Sequence, residues 1–577
     1  MDFRARIVSW LSGATGMPEE QIDGWTEIPP QEEMGDYAFP CFRLAKSLRQ
    51  APPAIAADLA ARANLDLDGM EKVQAVNGYL NFFINRRAFI RQVVLQTLES
   101  GCRLGRSDEG QGKTVIVEFS SPNIAKPFHI GHAFTTILGN AIYKLYDCLG
   151  YKTVRMNHLG DYGTQFGKLI VAYRLWGDDQ ALENAPIQEL LRIYVRFHEQ
   201  AELDPDLDEQ ARAAFRRLEA GEADEMMLWQ KFRDLSLNEF NAIYRRLGVT
   251  FDNFNGESFY SDHIPAVLAL LKEKQLLIES QGAQVVMLDE YGLPPCIILK
   301  SDGTTIYASR DIASVLYRTA TYHFYKNIYV VGTPQLLHFQ QVFAVLDKAG
   351  VKEAAQCVHV GFGLVKFPDR KLSTRSGDVI FLSDLLAESV DKTYEIIKQN
   401  AELRQTDMSD REMREVAEKI GLGAVTYTFL KNGRERDIVF SWDEMLDFEG
   451  DSAPYVQYTY ARARSILRKA GLDEIRPDGL TEDDLSLLAG DDEFAMAKLL
   501  DGFGQAVRKA AELYEPYILV RQVTSLARAF NKYYNHESIL GTDDPALRRA
   551  RLALLQAVCQ GIRTGLDLVG ISVVDRM

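Results

Sequence analysis

The chain has 577 residues, 46% of them hydrophobic and 25% charged, with a mean hydropathy of −0.17. These globular values exclude a largely disordered polypeptide, and the lack of any run of ~18 apolar residues excludes a spanning helix. With 81 acidic and 65 basic side chains the formal net charge is −16. Any nucleic-acid surface must therefore be local, because bulk polyanion binders are basic overall.

At ~100–200 residues per domain, the length suggests about four domains. The amino-terminal segment has no long apolar centre followed by a small-residue cleavage site, so a cytoplasmic location is expected, with no membrane partner. Cys41, Cys102, Cys148, Cys296, Cys357 and Cys559 are scattered and form no C-x-x-C pair. Neither zinc nor a disulfide framework is expected, and the thiols read as small buried hydrophobes.

The first hundred residues read as a small α+β unit. Helices are expected over 39–48 and 53–63, the second opened by Pro52-Pro53. Alternation over 73–84, with Asn77-Gly78 between, predicts a strand pair and its turn. The polar, glycine-rich stretch 101–112 reads as a linker. Thr114 to Phe119 predicts a strand, 120–128 a loop, and the stretch from Gly131 a helix with Phe134, Ile137, Leu138, Ala141, Ile142, Leu145 and Leu149 on one face and Gly150 as its stop. Lys152 to Asn157 is the next strand. Strand, helix and strand at this spacing predict a βαβ unit and a parallel sheet. The acidic, helical stretch near 176–247 reads as an insertion. Segments 296–300 and 304–308 around Ser301-Asp302-Gly303 predict a β-hairpin. Residues 327–331 form a buried strand, followed by a helix over 336–348. From about Ser383 the pattern is almost all helical, and the basic helix 455–471 opens the last domain.

Two polar segments point to chemistry. In EFSSPNIAKPFHIGH, residues 118–132, His129, Gly131 and His132 stand where a helix begins after a strand and a loop. A helix start offers unpaired N–H groups and the positive end of the dipole, which attract phosphate. Imidazole N–H groups add donors, Lys126 adds a cation, and Gly131 leaves room for a flat base. Two histidines can also merely cap a helix. The second segment, DRKLSTRSG at 369–377, is a polar loop of a kind that can close over phosphates; alone it is an ordinary solvated turn.

Together HIGH and KLSTRSG resemble the two signature motifs of class I aminoacyl-tRNA synthetases. The longer words EFSSPNIAKPFHIGH, RMNHLGDYGTQFGKLI, SDGTTIYASRDIAS and the terminal VDRM, in this order, resemble the arginyl-tRNA synthetase family nearly end to end. The resemblance implies an α/β fold: a Rossmann-type parallel-sheet catalytic domain over 106–385 with a helical insertion about 176–262. It further implies an N-terminal α+β add-on domain over 1–105, a helical stem-contact region over 386–452 and an all-α anticodon-binding domain over 453–577. It implies a ligase that activates L-arginine with ATP, accompanied by Mg2+, and loads it onto the 3′-terminal adenosine of tRNA(Arg), working as a monomer.

The resemblance also implies roles for residues. His129, His132 and Lys126 would be catalytic. His129, Gly131, His132, Lys371, Ser373, Arg375 and Gly377 would hold ATP. Glu118 and Asp311 would take the substrate guanidinium, a group that fits carboxylates best, with Ser120, Asn123, Tyr307 and Gln335 completing the pocket. Taken singly, Glu118 could equally form an internal salt bridge, Asp311 could cap a helix and Tyr307 could be core. The usual second signature lysine is replaced by Thr374, and Lys126 sits where many arginyl enzymes carry that charge instead. Asn77, Tyr79 and Asn81 would read the tRNA elbow. Tyr455, Tyr458 and Arg462 would meet the anticodon arm, although a tyrosine stripe at helical spacing, like Phe530, Tyr533 and Tyr534, also fits a core. A cysteinyl-type relative would need zinc, a glutamyl-type relative would need a basic pocket, and a non-catalytic tRNA-binding paralogue would have lost the ATP motifs.

Overall fold

A computed structural model describes residues 3–67, 69–301, 303–366, 380–404, 407–472, 480 and 482–577. The chain forms two units that do not follow chain order. One holds Met1–Leu104, Arg462–Gly502 and Ser525–Ile562; the other holds Gly105–Ala461, Phe503–Thr524 and Arg563–Met577.

In the first unit, β1 (Tyr37–Pro40), β2 (Met70–Val76) and β3 (Tyr79–Ile84) form an antiparallel sheet in the order β1-β3-β2. Asn77 and Gly78 join β2 to β3 with φ of 53° and 83°, the left-handed pair that a two-residue hairpin loop demands. The helix Pro52–Asp66 carries proline in its first turn, as expected. The expected helix over 39–48 is corrected. Phe39 and Pro40 belong to β1, paired with Leu80 and Tyr79; Cys41–Leu44 is a 3-10 turn and only Ala45–Leu48 is α-helical. Pro40 is tolerated there because β1 is an edge strand, and Phe39 is wholly buried. Further on, the helix Arg86–Ser100, capped by Asn85, meets the helix Asp491–Asp501 through an edge-to-face contact of Phe89 with Phe494, ring centroids 5.3 Å apart.

The second unit is built on a four-stranded parallel sheet of β4 (Thr114–Glu118), β5 (Lys152–Met156), β9 (Lys326–Val330) and β10 (Cys357–Val360), in the order β10-β9-β4-β5. The centre of β4, Val115-Ile116-Val117, is fully buried, as a strand covered on both faces must be. The helix Ile130–Cys148 returns the chain from β4 to β5, completing the expected βαβ unit. The insertion is helical, from Asp179–Asn184 to Ala223–Leu247.

A small antiparallel sheet of β6 (Ile278–Ser280), β7 (Ala283–Val286) and β8 (Cys296–Leu299) follows. Here the expected hairpin is corrected. β8 pairs with β7, Thr305 makes a single bridge back to Leu299, and the helix Tyr307–Tyr322 begins at once. Asp302 lies outside the described residues. The carboxyl-terminal half is helical from Leu382 onward, apart from β12 (Ile438–Val439), which pairs in parallel with β11 (Val365–Lys366).

On the helix Ile130–Cys148, Gly139 lies against Phe119, the residue after β4, and a Cβ there would overlap the Cβ and ring of Phe119. Alanine would gain ~1 kcal/mol of helix propensity, but overpacking of a dense core costs about 1–3 kcal/mol. Gly139→Ala is expected to lower the thermal midpoint of the protein. An unchanged or raised midpoint in a melting experiment would show that this crossing has slack.

Candidate active site

The order β10-β9-β4-β5 reverses at β4: the chain passes from β4 to β5 on one side and later builds β9 and β10 on the other. In open parallel sheets ligands settle at the carboxyl ends of the strands where the order reverses. Glu118 is the last residue of β4, and the 120–128 loop leaves from it. Ser120, Ser121 and Ala125 in this loop have φ of 70°, 45° and 59°. Left-handed backbone costs roughly 1–2 kcal/mol at a residue other than glycine and persists only where neighbours enforce it.

Those neighbours are visible. Ser120 N–H donates to Thr135 Oγ1 (3.1 Å), which itself donates to the Val330 carbonyl of β9 (2.6 Å). The Ser120 hydroxyl lies 2.7 Å from Tyr244 OH and accepts from Thr136 Oγ1 (2.8 Å). Ser120 is thus buried and engaged within the protein, where it braces the loop. Asn123 bridges to Gly160 in parallel fashion, and a Cβ on Gly160 would overlap Asn123 Oδ1.

The loop ends in the helix tip. His129 is the N-cap of Ile130–Cys148, its Nδ1 accepting from Gly131 N–H (3.0 Å), while His132 Nδ1 accepts from His129 N–H (3.2 Å). With each Nδ1 acting as acceptor, a neutral ring carries its proton on Nε2. Burial, and then the nearby Lys126 charge, lower the basicity of His129. Burial, His129 and Lys126 push His132 well below the usual range. Both are neutral donors at physiological pH. Phe128 stacks on His132, with the ring planes 4° apart. Lys126 is half-buried with its ammonium 5.9 Å from the Tyr194 ring centre. Lys371, Ser373, Thr374, Arg375 and Gly377 lie outside the described residues. Beyond them Phe381 forms an antiparallel bridge with His129, and Leu382 N–H donates to the Phe128 carbonyl (2.8 Å). The chain therefore returns from the second signature segment to the tip of the first.

Tyr307 and Asp311 sit one turn apart at the start of Tyr307–Tyr322. Tyr307 is 65% exposed. Asp311 Oδ2 lies 2.5 Å from His338 Nε2. Burial alone would raise this carboxyl, but the His338 bond and the charges of His338, His158 and Arg318 hold it below the ordinary range. Gln335, at the end of the turn after β9, is exposed. Glu118 does not stand as a second unpaired carboxylate: its Oε2 accepts from the fully buried Arg318 guanidinium. Both acids expected in the pocket therefore have a partner within the protein, Glu118 in Arg318 and Asp311 in His338.

Several groups here were not found from the sequence. Glu257 is buried, its Oε2 makes no hydrogen bond, and Arg310 Nη1 is 3.6 Å away. Burial, opposed by Arg310 and reinforced by Asp311 and Asp161, pushes its carboxyl up to about 8. Asn157 Oδ1, His158 Nδ1 and Arg310 Nε are likewise buried without a hydrogen bond among the described residues. Buried polar atoms are nearly always satisfied; these gather just after β5 and on the helices Glu257–Ser261 and Tyr307–Tyr322. His158 and Asp161 do lie in the RMNHLGDYG word, but spacing alone gave no reason to single them out. Among the described residues no group of three or more His, Cys, Asp or Glu is arranged to hold a metal.

The expected RNA-facing residues divide. Asn77 and Tyr79 are exposed, whereas Asn81 is buried at 6% and is corrected from a surface contact to an interior residue. Phe42, exposed and edge-to-face with Tyr79 at 5.4 Å, escaped the sequence reading. Tyr455 and Tyr458 are half-buried. Arg462 donates to Asn531 Oδ1 (2.8 Å) and lies 5.2 Å from the Tyr534 ring centre. Phe530 and Tyr533 are core residues, and Tyr534 is exposed.

Three family descriptions match the chain: "tRNA synthetases class I (R), catalytic domain" over 93–442, "DALR anticodon binding domain" over 456–577, and "Arginyl tRNA synthetase N terminal domain" over 2–84. The arginine–tRNA ligases of Clostridium botulinum and Clostridium perfringens are 52% and 51% identical to it over 577 residues, covering all of both chains. The solved arginyl-tRNA synthetase of Thermus thermophilus superposes with a TM-score of 0.79 at 28% identity, over 96% of each chain. The chain belongs to the class I arginyl-tRNA synthetase family.

Proposed function

We propose that the chain joins L-arginine to the 3′-terminal adenosine of tRNA(Arg) at the crevice beyond β4 and β9. The observation that carries this assignment is the shared loop: one strained segment joins the Glu118 carboxylate to a helix tip bearing two neutral imidazoles and Lys126. A carboxylate oxygen of arginine attacks the α-phosphorus of ATP, the bond to the bridging oxygen breaks, and pyrophosphate leaves. His129 and His132 offer Nε2–H donors to the phosphates, and Lys126 balances charge that grows in the transition state. Preorganised donors in a dry site do most of such work. ATP arrives as its magnesium complex, the metal travelling with the nucleotide. The ribose 2′-OH of the terminal adenosine then attacks the acyl carbon and AMP leaves.

Asp311 and Glu118 recognise the guanidinium, with Tyr307, Gln335 and Asn123 around the substrate and Glu257 as a further acid. Lys371, Ser373, Arg375 and Gly377 serve the phosphates, Asn77 and Tyr79 meet the tRNA elbow, and Tyr455, Tyr458 and Arg462 serve the anticodon arm. Segments 1–105, 106–385, 386–452 and 453–577 act as elbow, catalytic, stem and anticodon modules. The protein works as a monomer in the cytoplasm; among the described residues no helix is long and apolar enough to cross a membrane. Arginine-dependent pyrophosphate exchange, run with and without tRNA(Arg), tests the whole assignment. Exchange is expected with tRNA present. None, despite measurable tRNA binding, would make the chain a non-catalytic RNA binder.

Charge-assisted bonds to a buried cation contribute ~1.5–3 kcal/mol. Asp311→Ala is therefore expected to raise the arginine KM at least ~10-fold and leave the ATP KM nearly unchanged; an unmoved arginine KM would remove Asp311 from the pocket. Loss of one transition-state donor costs roughly 10²–10³ in rate. Lys126→Ala is expected to slow adenylate formation on that scale without a matching fall in the melting midpoint, and single-turnover rates equal to wild type would refute its role. Glu257 stays protonated until about pH 8, and only its ionised form attracts a cation. The arginine KM should fall as pH rises through that value, and Glu257→Gln should flatten this part of the profile. A profile unaltered by the substitution would place Glu257 outside the pocket.

A further inference from the structure

Arg318 lies two turns beyond Asp311 on Tyr307–Tyr322, so the two share a face of that helix. Its guanidinium is fully buried and donates to Glu118 Oε2. Tyr260 OH and Asn327 Oδ1 lie 3.5 and 3.4 Å from it, and the Tyr260 and Tyr329 rings are centred 5.7 and 5.3 Å away. The bond to Arg318 engages the Oε2 atom of Glu118.

We propose that Arg318 is a positioning residue for substrate recognition: it pins one oxygen of Glu118 so that the other edge of the carboxylate is correctly turned for the guanidinium of arginine. This rests on the assignment of Glu118 to the substrate pocket made above. Charge supports it. Two bare carboxylates facing one guanidinium would leave a buried negative charge, which is costly. With Arg318 in place, the charges of Glu118 and Arg318 offset one another. Geometry supports it as well. A planar fork caught between two tyrosine rings holds a carboxylate at a fixed angle, which the point charge of a lysine does not. A buried ion pair is weak evidence for stability in itself, so its value here lies in orientation.

The test is steady-state pyrophosphate exchange, with tRNA(Arg) present, on Arg318→Lys, Arg318→Met and Glu118→Gln, each checked for a wild-type circular-dichroism spectrum. Both Arg318 variants are expected to raise the arginine KM, by ~10-fold or more in Arg318→Met and less in Arg318→Lys, because a charged hydrogen bond loses its geometry. The ATP KM, and kcat at saturating arginine, should stay within about twofold to threefold on the same scale. A merely structural role would lower kcat through the inactive fraction and leave KM alone. Folded Arg318 variants with a wild-type arginine KM overturn the inference. Should neither variant fold, Tyr260→Phe and Asn327→Ala loosen the same guanidinium. A raised arginine KM in either supports the inference, and a wild-type value in both overturns it. Glu118→Gln separates the two layers. An unchanged KM there removes Glu118 from the pocket, whereas a raised KM with silent Arg318 variants defeats this inference alone.

Discussion

At the end of β4 the buried Glu118 carboxylate meets the buried Arg318 guanidinium, and much of the surrounding structure serves that pair. Tyr260 and Tyr329 enclose the guanidinium, Asn327 stands beside it on β9, and His158 Nδ1 lies 3.9 Å from the same carboxylate oxygen. The helix that supplies Arg318 also supplies Asp311. One charge pairing thus ties together the ends of β4, β5 and β9 and sets the electrostatics of the crevice between them.

The same strand end launches the strained loop, which links recognition to chemistry. Ser120 and Ala125 in it are held by Thr135 and Thr136 on the helix that follows and by Tyr244 and Ser236 on the insertion, while the Gly160 backbone after β5 bonds to Pro122 and Ile124 between them. The insertion is therefore more than an appendage. Tyr244 joins Ser120 to Asn157 through its hydroxyl, so the insertion braces the floor of the site. What emerges is a helix tip whose histidines are uncharged. Neutral imidazoles suit this task, because a donor that needs no proton from solvent offers the same hydrogen bond across the physiological range. The mobile positive charge is left to Lys126.

Much of the fold was legible because it rests on local rules. Asn77-Gly78 demanded a tight hairpin, TVIVEF demanded a buried strand, and the apolar stripe after Gly131 demanded a helix packed on the sheet. The failures were also local. Phe39 and Pro40 carry no period of their own and were claimed by pairing with β3. Residues 304–308 looked like a strand arm, yet the chain turned into a helix as soon as Thr305 had bridged to Leu299. For the site, motif words fixed the helix tip. They could not reveal that Glu118 faces Arg318, because those residues lie 200 positions apart and only the closed sheet brings them together. Glu257 was invisible for the same reason. A lone glutamate in a helical stretch reads as surface until its burial is known.

On the RNA side, the resemblance alone places Asn77, Tyr79 and Asn81 together at the tRNA elbow. Asn77 stands in the turn before β3, while Tyr79 and Asn81 lie on the strand. β3 is the central strand of its sheet, however, and exposure falls along it from the turn inward, so Asn77 and Tyr79 are open while Asn81 is not. The open end gains an aromatic partner from elsewhere in the chain, Phe42, set edge-to-face on Tyr79. Arg43, Lys46 and Arg49, which follow Phe42 in the chain, are exposed, so a chain of net charge −16 still carries a local basic run.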